Sequence, residues 1–279
     1  MLGPPPRWSD RKLLLVKYID DFNCCEKIDT FAAPFSLSQQ KKVISVQAER
    51  TTALYQELKK RANSIGMRIN NKKNQVLCIT SSMESKVEAL VWPSENEGIS
   101  SGPSLKIVGF WFGSRPDVST HVEKMIAKFQ SRMWVLYHLK NARVPPDDML
   151  VLYKSLIRPV LDFAVPAYHS LLTQNQSERI ERLQRSAFKI IFGWAVSYRT
   201  VLEEKQEESL CDRRIRLVDQ FTKKANSHPR FGPEWFAKRK DDGRILRRRE
   251  ALFHPRPRTE RFKNNPVNYM RKRIENNFD

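Results

Sequence analysis

Several features that identify common protein classes are scarce or absent in this 279-residue sequence. No apolar run is long enough to span a bilayer, which argues against an integral membrane protein. Residues 1–10 contain Pro4-Pro5-Pro6 but no apolar core, so they do not form a signal peptide. We therefore expect an intracellular protein, nuclear or cytoplasmic, with no membrane partner.

Cysteine is also rare, and its spacing excludes familiar metal sites. Cys24, Cys25, Cys78 and Cys211 show no metal-ligand spacing, and the five histidines are equally scattered. The adjacent pair Cys24-Cys25 cannot readily form a bridge, so free thiols in a reducing compartment are expected. Nine glycines and 40% apolar residues are typical of a folded, helix-rich chain.

Acidic residues are outnumbered by basic ones. Fifty Lys and Arg against 31 Asp and Glu give a formal charge of +19 and a pI near 10.0. Such a charge favours a polyanionic partner, above all nucleic acid. A protein that is merely basic is the open alternative, because charge says nothing about the fold.

The hydropathy pattern of the first 116 residues predicts strands and one helix. Leu13 to Cys25 is an apolar stretch interrupted by Asp20 and Asp21, which predicts a hairpin with the acidic pair at its turn. An ordinary strand end rich in Asp is the alternative. A helix is predicted from a cap at Ser38 to a stop at Gly66. Short strands are predicted at 67–70, 75–80 and 105–112.

From Asp117 onward the pattern predicts only helices. We predict helices at 118–141, from Pro145 to a break at Pro159, at 175–192 and at 198–226. Residues 228–279 are rich in Arg, Lys, Pro and Asn, and we expect them to be loosely ordered until they meet a partner. The expected fold class is α+β, in three domains: 1–116, 117–227 and 228–279.

The turn Tyr18-Ile19-Asp20-Asp21 carries the most specific chemistry. Two adjacent carboxylates at a tight turn need a cation, and Mg²⁺ is the hard ion that takes carboxylate, water and phosphate ligands. Nucleotidyl transfer uses two such ions to activate the attacking hydroxyl and to stabilise the leaving pyrophosphate. A tyrosine two places before the first aspartate is positioned to pack beside a primer end. Alone, the tetrapeptide is only suggestive.

Further motifs follow the turn in a familiar order and spacing. Together they resemble the C-terminal part of the reverse transcriptases of non-LTR retrotransposons, with the catalytic motif, the primer grip and the thumb. The likeness covers nearly the whole chain from residue 13. Its segments are 16–22 (VKYIDDF), 66–73 (GMRINNKK), 105–110 (LKIVGF), 152–164 (LYKSLIRPVLDFA), 183–193 (LQRSAFKIIFG) and 261–265 (RFKNN).

The resemblance implies roles for residues of the palm. Asp20 and Asp21 would be the catalytic carboxylates that bind Mg²⁺, and Tyr18 would face the primer terminus. Lys73 would protonate the leaving pyrophosphate as a general acid, or else be a solvated turn lysine. The implied partners are an RNA template, a DNA primer and, in the intact parent enzyme, a dNTP.

It also implies contacts with the primer and with phosphates. Gly109, Phe110 and Trp111 would support the primer backbone, although an ordinary hydrophobic hairpin is the alternative and both can hold. Four cations of the third thumb helix recur at steps of three and four residues. They would lie along phosphates, or they form a solvated basic face: Arg179, Arg182, Arg185 and Lys189.

Two parts of the family pattern are missing from this sequence. The first catalytic aspartate and the Pro-Gln-Gly segment precede the catalytic turn in the family, and only seventeen residues precede Tyr18 here. We therefore expect a fragment of an RNA-directed DNA polymerase that is inactive alone. It lacks a ligand for the two-metal nucleotidyl transfer of the intact parent. The alternatives are a non-catalytic RNA- or DNA-binding remnant and, less favoured by the thumb motifs, a group II intron maturase.

Overall fold

The computed structural model describes residues 13–18, 21–26, 49, 52–53, 55–70, 74–77, 100–113, 117–238, 252–254 and 260–276. The chain divides into two compact units, residues 1–109 and 110–279. The expected division into three domains, with boundaries at 116 and 227, stays a prediction.

The first unit contains the predicted hairpin. Strand β1 (Leu13–Tyr18) pairs antiparallel with β2 (Asp21–Glu26), and the register runs from Leu13 opposite Glu26 to Tyr18 opposite Asp21. Two residues therefore connect the strands, which is the commonest length of a hairpin loop. The hairpin prediction is confirmed, although residues 19 and 20 themselves lie outside the described residues.

Helix α1 of the first unit is described over residues 55–64 and ends as the sequence predicts. Gly66 has a φ of +78°, a left-handed conformation that favours glycine. The N–H of Met67 donates to the carbonyl of Ala62 at 2.9 Å, which is the hydrogen bond of a Schellman cap. The predicted start at Ser38 lies outside the described residues.

The remaining strands of the first unit are short. Strand β3 (Gln75–Val76) pairs parallel with β4 (Ser100–Ser101), and β5 is Ser104–Ile107. The predicted strand at 67–70 does not form, and its described side chains are mostly exposed. Val108 and Gly109, with φ of 48° and 87°, form the turn after β5.

The second unit begins with β6 (Phe110–Gly113) and continues as helices. Helix α2 confirms the helix predicted at 118–141 and buries an apolar stripe at steps of three and four residues, which includes the fully buried Val122, Phe129 and Leu136. The principal helices are α2 (Ser119–Asn141), α3 (Pro146–Leu152), α4 (Pro159–Asp162), α5 (Val165–Tyr168), α6 (Gln174–Phe192), α7 (Tyr198–Glu204) and α8 (Leu210–Asn226).

The predicted break at Pro159 takes the form of a π turn. Proline lacks an N–H, and its ring clashes with the carbonyl four residues earlier in an α-helix. Here a π turn (Tyr153–Ile157) separates α3 from α4, and the N–H of Arg158 donates to Tyr153, five residues back, at 2.8 Å. Pro159 then opens α4, where a first-turn proline is tolerated.

The prediction of a single helix at 198–226 is wrong, because the segment forms two helices. Helix α7 ends where Gln206 adopts a φ of +50°, and Glu207 donates to the carbonyl of Leu202 at 2.9 Å. Ser209 then caps α8, since its hydroxyl accepts from the N–H of Asp212 at 3.1 Å. The Ser-x-x-Asp spacing of this cap is visible in the sequence.

The described part of the C-terminal segment is packed, so the expectation of loose order is wrong for it. Three short helices form: α9 (Phe231–Trp235), α10 (Glu260–Lys263) and α11 (Pro266–Glu275). Arg273 donates two hydrogen bonds to Asp219 of α8, at 2.9 and 2.7 Å, and Met270 is buried. A basic composition therefore did not prevent packing, because these side chains find carboxylate and apolar partners within the unit.

Strands and helices together make the fold α+β in general terms. None of the described helices is both long and apolar enough to cross a membrane.

Candidate nucleic-acid interface

The predicted catalytic residues are only partly described. Tyr18 ends β1 and Asp21 begins β2 on the opposite side of the turn. Asp20 and Lys73 lie outside the described residues. Oxygen donors at a hairpin end are the type that Mg²⁺ takes in proteins. Within the described part of the chain, no group of three His, Cys, Asp or Glu side chains comes together as a metal site.

The primer-grip-like residues of β6 contact helix α2. The ring of Phe110 stacks on the ring of His121, with 4.0 Å between the ring centroids. The N–H of Trp111 donates to Nδ1 of His121 at 3.4 Å. The ammonium of Lys124 lies 5.3 Å from the Trp111 ring. Gly109, with its positive φ, belongs to the turn before β6. These contacts hold β6 against α2, so its aromatic residues have a structural role of their own.

His121 is the central group of this contact and is almost fully buried. Burial lowers its pKa to about 4, because desolvation disfavours the imidazolium. Its Nδ1 accepts from Trp111, so its proton resides on Nε2 in the neutral ring, and Nε2 has no partner among the described residues. Only a neutral ring suits this packing.

The four cations predicted for the third thumb helix all lie on α6, but they differ in their partners. Arg179 donates to both carboxylate oxygens of Glu123, at 2.6 and 3.0 Å. The hydrogen bond from Arg179 is the main reason that the pKa of Glu123 is lowered. The charge of Arg179 is thus compensated within the protein.

The other three cations keep their charge available on the outer face of α6. Arg182, Arg185 and Lys189 are exposed, and none forms an ion pair with a described residue. Arg182 donates only to the backbone carbonyl of Glu178, and the Arg185 guanidinium lies 5.2 Å from the ring of Tyr198. Lys189 lies 4.8 Å from the ring of Trp194.

An open cleft of about 550 Å³ adjoins this face. Arg182 and Arg185 line it together with Glu181 and Tyr198, so its walls carry both signs of charge. The hydroxyl of Tyr198 donates to Glu181 at 2.5 Å, and burial with this bond raises the pKa of Tyr198. Because Glu178 and Glu181 also line the cleft, its interior is less suited to a polyanion than the exposed face of α6 that carries the cations.

A buried polar network holds α6 in place, and periodicity could not reveal it. Gln184 is 1% exposed; its carbonyl oxygen accepts from the hydroxyl of Tyr153 at 2.9 Å. Its amide donates to the hydroxyl of Tyr198 at 3.0 Å and to the carbonyl of Glu208 at 2.9 Å. Gln184 lies between the cations Arg182 and Arg185, so this network fixes the orientation of the basic face.

Trp194 was missed by the sequence reasoning. It follows Gly193, which ends α6 with a φ of +100°, and it is 79% exposed. The available signal was an aromatic residue directly after a helix-ending glycine in a basic segment.

Comparison of the chain with protein-family models, with curated proteins and with solved structures found no match.

Proposed function

We propose that this chain binds nucleic acid through α6 of its helical unit, and that it corresponds to the C-terminal part of an RNA-directed DNA polymerase of the non-LTR retrotransposon type. The observation that carries the binding is the row Arg182, Arg185 and Lys189. These three cations are exposed on one helix face without a carboxylate partner among the described residues. The like charges of such a row repel one another, and an anionic ligand offsets that repulsion.

The spacing of the row suits a phosphate backbone. Arg182 and Lys189 are seven residues apart, which corresponds to about 10 Å along the helix. Phosphates of one strand follow each other about every 3.4 Å along a duplex, so the row spans about three of them. Contacts of this type set affinity and register without reading sequence. The net charge of +19 adds a general attraction for such a ligand.

The polymerase part of the proposal rests on the motifs. In this proposal Asp20 and Asp21 hold Mg²⁺, Tyr18 faces the primer end, and Lys73 is the general acid. When bound, Mg²⁺ supplies the Lewis acidity that nucleotidyl transfer needs. The opposed positions of Tyr18 and Asp21 across the β1–β2 hairpin support this arrangement. Template RNA, primer DNA and dNTP are the corresponding partners of the intact parent.

Removal of two cations from the row tests the proposed binding. Fluorescence anisotropy of a labelled 12-base-pair duplex is measured with the full chain and with the Arg182→Gln/Arg185→Gln variant. The expected result is a loss of affinity of about tenfold at low salt. The control, Lys224→Gln/Lys263→Gln, removes equal charge from exposed positions of α8 and α10. Equal losses of affinity in the two variants would show that binding depends on net charge and not on the row of cations on α6.

A further inference from the structure

The end of α6 carries an indole that the fold leaves in water. Trp194 is 79% exposed, more than any other large apolar side chain in the described part of the chain. A tryptophan buries a large area when it finds a partner, so leaving its ring in water forgoes a sizeable stabilisation. Its neighbours Ala195 and Val196 are exposed as well.

One cation contacts this indole, and two others contact the last residues of α6. The ammonium of Lys189 lies 4.8 Å from the ring of Trp194, and that of Lys140 donates to the carbonyl of Ile191 at 2.9 Å. Lys205 lies 5.7 Å from the ring of Phe192 and pairs with Asp147 at 2.6 Å. Neither Lys140 nor Lys189 has a carboxylate partner among the described residues. The region therefore combines an exposed aromatic ring, which has the Lys189 ammonium over one face, with two positive charges that have no carboxylate partner among the described residues.

An exposed aromatic ring beside cations suits an unpaired nucleotide. A base offers a flat face that stacks on an aromatic side chain, and its phosphate needs a cation nearby. In a duplex both faces of an inner base are already stacked, so an indole gains little there. A membrane surface also attracts tryptophan and lysine, but an interfacial anchor needs a wide apolar face. Here the indole continues a linear row of cations along α6.

We propose that Trp194 stacks on one unpaired base of a single-stranded nucleic acid whose backbone follows Lys189, Arg185 and Arg182. This inference rests on the proposed function and adds a preference for single strands. The cation row holds the backbone of either ligand, and Trp194 acts only on the strand with free bases.

The test compares the full chain with its Trp194→Ala variant on a (dT)12 oligonucleotide and on a 12-base-pair duplex. Affinity for (dT)12 is expected to fall about tenfold in the variant, and affinity for the duplex by less than about twofold. Trp134→Ala is the matched control, because Trp134 is 59% exposed on α2 and lies edge-on to His138. It should leave both affinities unchanged. Equal (dT)12 affinity of wild type and Trp194→Ala would overturn the proposal.

A stacking signature separates this inference from the proposed function. Binding of (dT)12 should quench part of the tryptophan fluorescence of the wild type, and the Trp194→Phe variant should lack that part. If Arg182→Gln/Arg185→Gln binds both ligands normally, the proposed function fails. If the Arg182→Gln/Arg185→Gln variant loses affinity but the Trp194 variants bind (dT)12 as tightly as wild type, the stacking inference alone fails. Trp194-dependent binding to vesicles with 30% anionic lipid, without binding to (dT)12, would assign the surface to membranes instead.

Discussion

Arg213 of α8 donates two parallel hydrogen bonds of 2.8 Å to Asp162 at the end of α4, from Nε to Oδ1 and from Nη2 to Oδ2. Both side chains are largely buried, and Arg213 also donates to Glu208 at 2.8 Å. The pair joins helices that are far apart in sequence, so its geometry lies beyond any local pattern. The hydrogen bond with Asp162 is the main reason that the pKa of Arg213 is raised.

The Asp162→Asn substitution should lower the free energy of unfolding by about 2 kcal/mol, because a bidentate, partly buried carboxylate contact is lost. Urea denaturation measures this difference. Glu203→Gln is the control, since its exposed pair with Arg199 should contribute less than about 0.5 kcal/mol. Equal effects of the two substitutions would contradict the role given to Arg213 and Asp162.

Gln184→Met should destabilise the helical unit by about 2–4 kcal/mol. The substitution preserves the shape of the side chain but leaves the buried hydroxyl of Tyr153 without its acceptor. Adding Tyr153→Phe to this variant should recover part of the loss, because the orphaned hydroxyl is then removed. Strictly additive effects of the two changes would show that the hydrogen bond contributes little.

Stability should fall as the pH drops from 6.5 towards 4. Burial lowers the pKa of His121 and of His169 to about 4, so the unfolded chain binds their protons first. The contribution of each imidazole is therefore fully present above pH 6.5 and is lost as the pH falls through this window. By pH 4.5 each histidine should lower the free energy of unfolding by about 2.5 kcal/mol.

The His121→Phe variant isolates one of these two histidines. It keeps a flat ring against Phe110 but cannot titrate, so its stability should depend less on pH between 4.5 and 7.5. The measurement is the free energy of urea unfolding at both pH values for wild type and variant. The same pH dependence in both proteins would exclude His121 as a titrating group.

Primer extension on an RNA template in the presence of Mg²⁺ tests the roles proposed for Asp20 and Asp21. Any incorporation of dNTP should disappear in the Asp20→Ala/Asp21→Ala variant, because Mg²⁺ then loses its carboxylate ligands. Incorporation that is unchanged in this variant would contradict the proposed metal site.

The sequence predicts those parts of the molecule that local patterns determine. The buried stripe of α2, the glycine stop at Gly66 and the β1–β2 hairpin follow from periodicity and turn chemistry, whereas the pairing of Tyr18 with Asp21 is seen only in the structure. The two-helix course of 198–226 was missed because Gln206, which is not a glycine, adopts a left-handed conformation. The packing of α11 was missed because a basic composition hides long-range pairs such as Arg273 with Asp219.

The candidate site was predictable in its residues but not in its charge balance. Steps of three and four residues placed Arg179 with the other cations of α6, yet only the structure pairs it with Glu123. The exposure of Trp194 is equally a tertiary property, because it depends on the absence of a covering element among the described residues.

The salt dependence of nucleic-acid binding tests the central claim most directly. The logarithm of the association constant for the 12-base-pair duplex is plotted against the logarithm of salt concentration for the full chain and the Arg182→Gln/Arg185→Gln variant. Each phosphate contact contributes about 0.9 to the slope, so losing two contacts should reduce it by about 1.8. The Lys224→Gln/Lys263→Gln control should keep the wild-type slope. An unchanged slope in the Arg182→Gln/Arg185→Gln variant would contradict binding through α6.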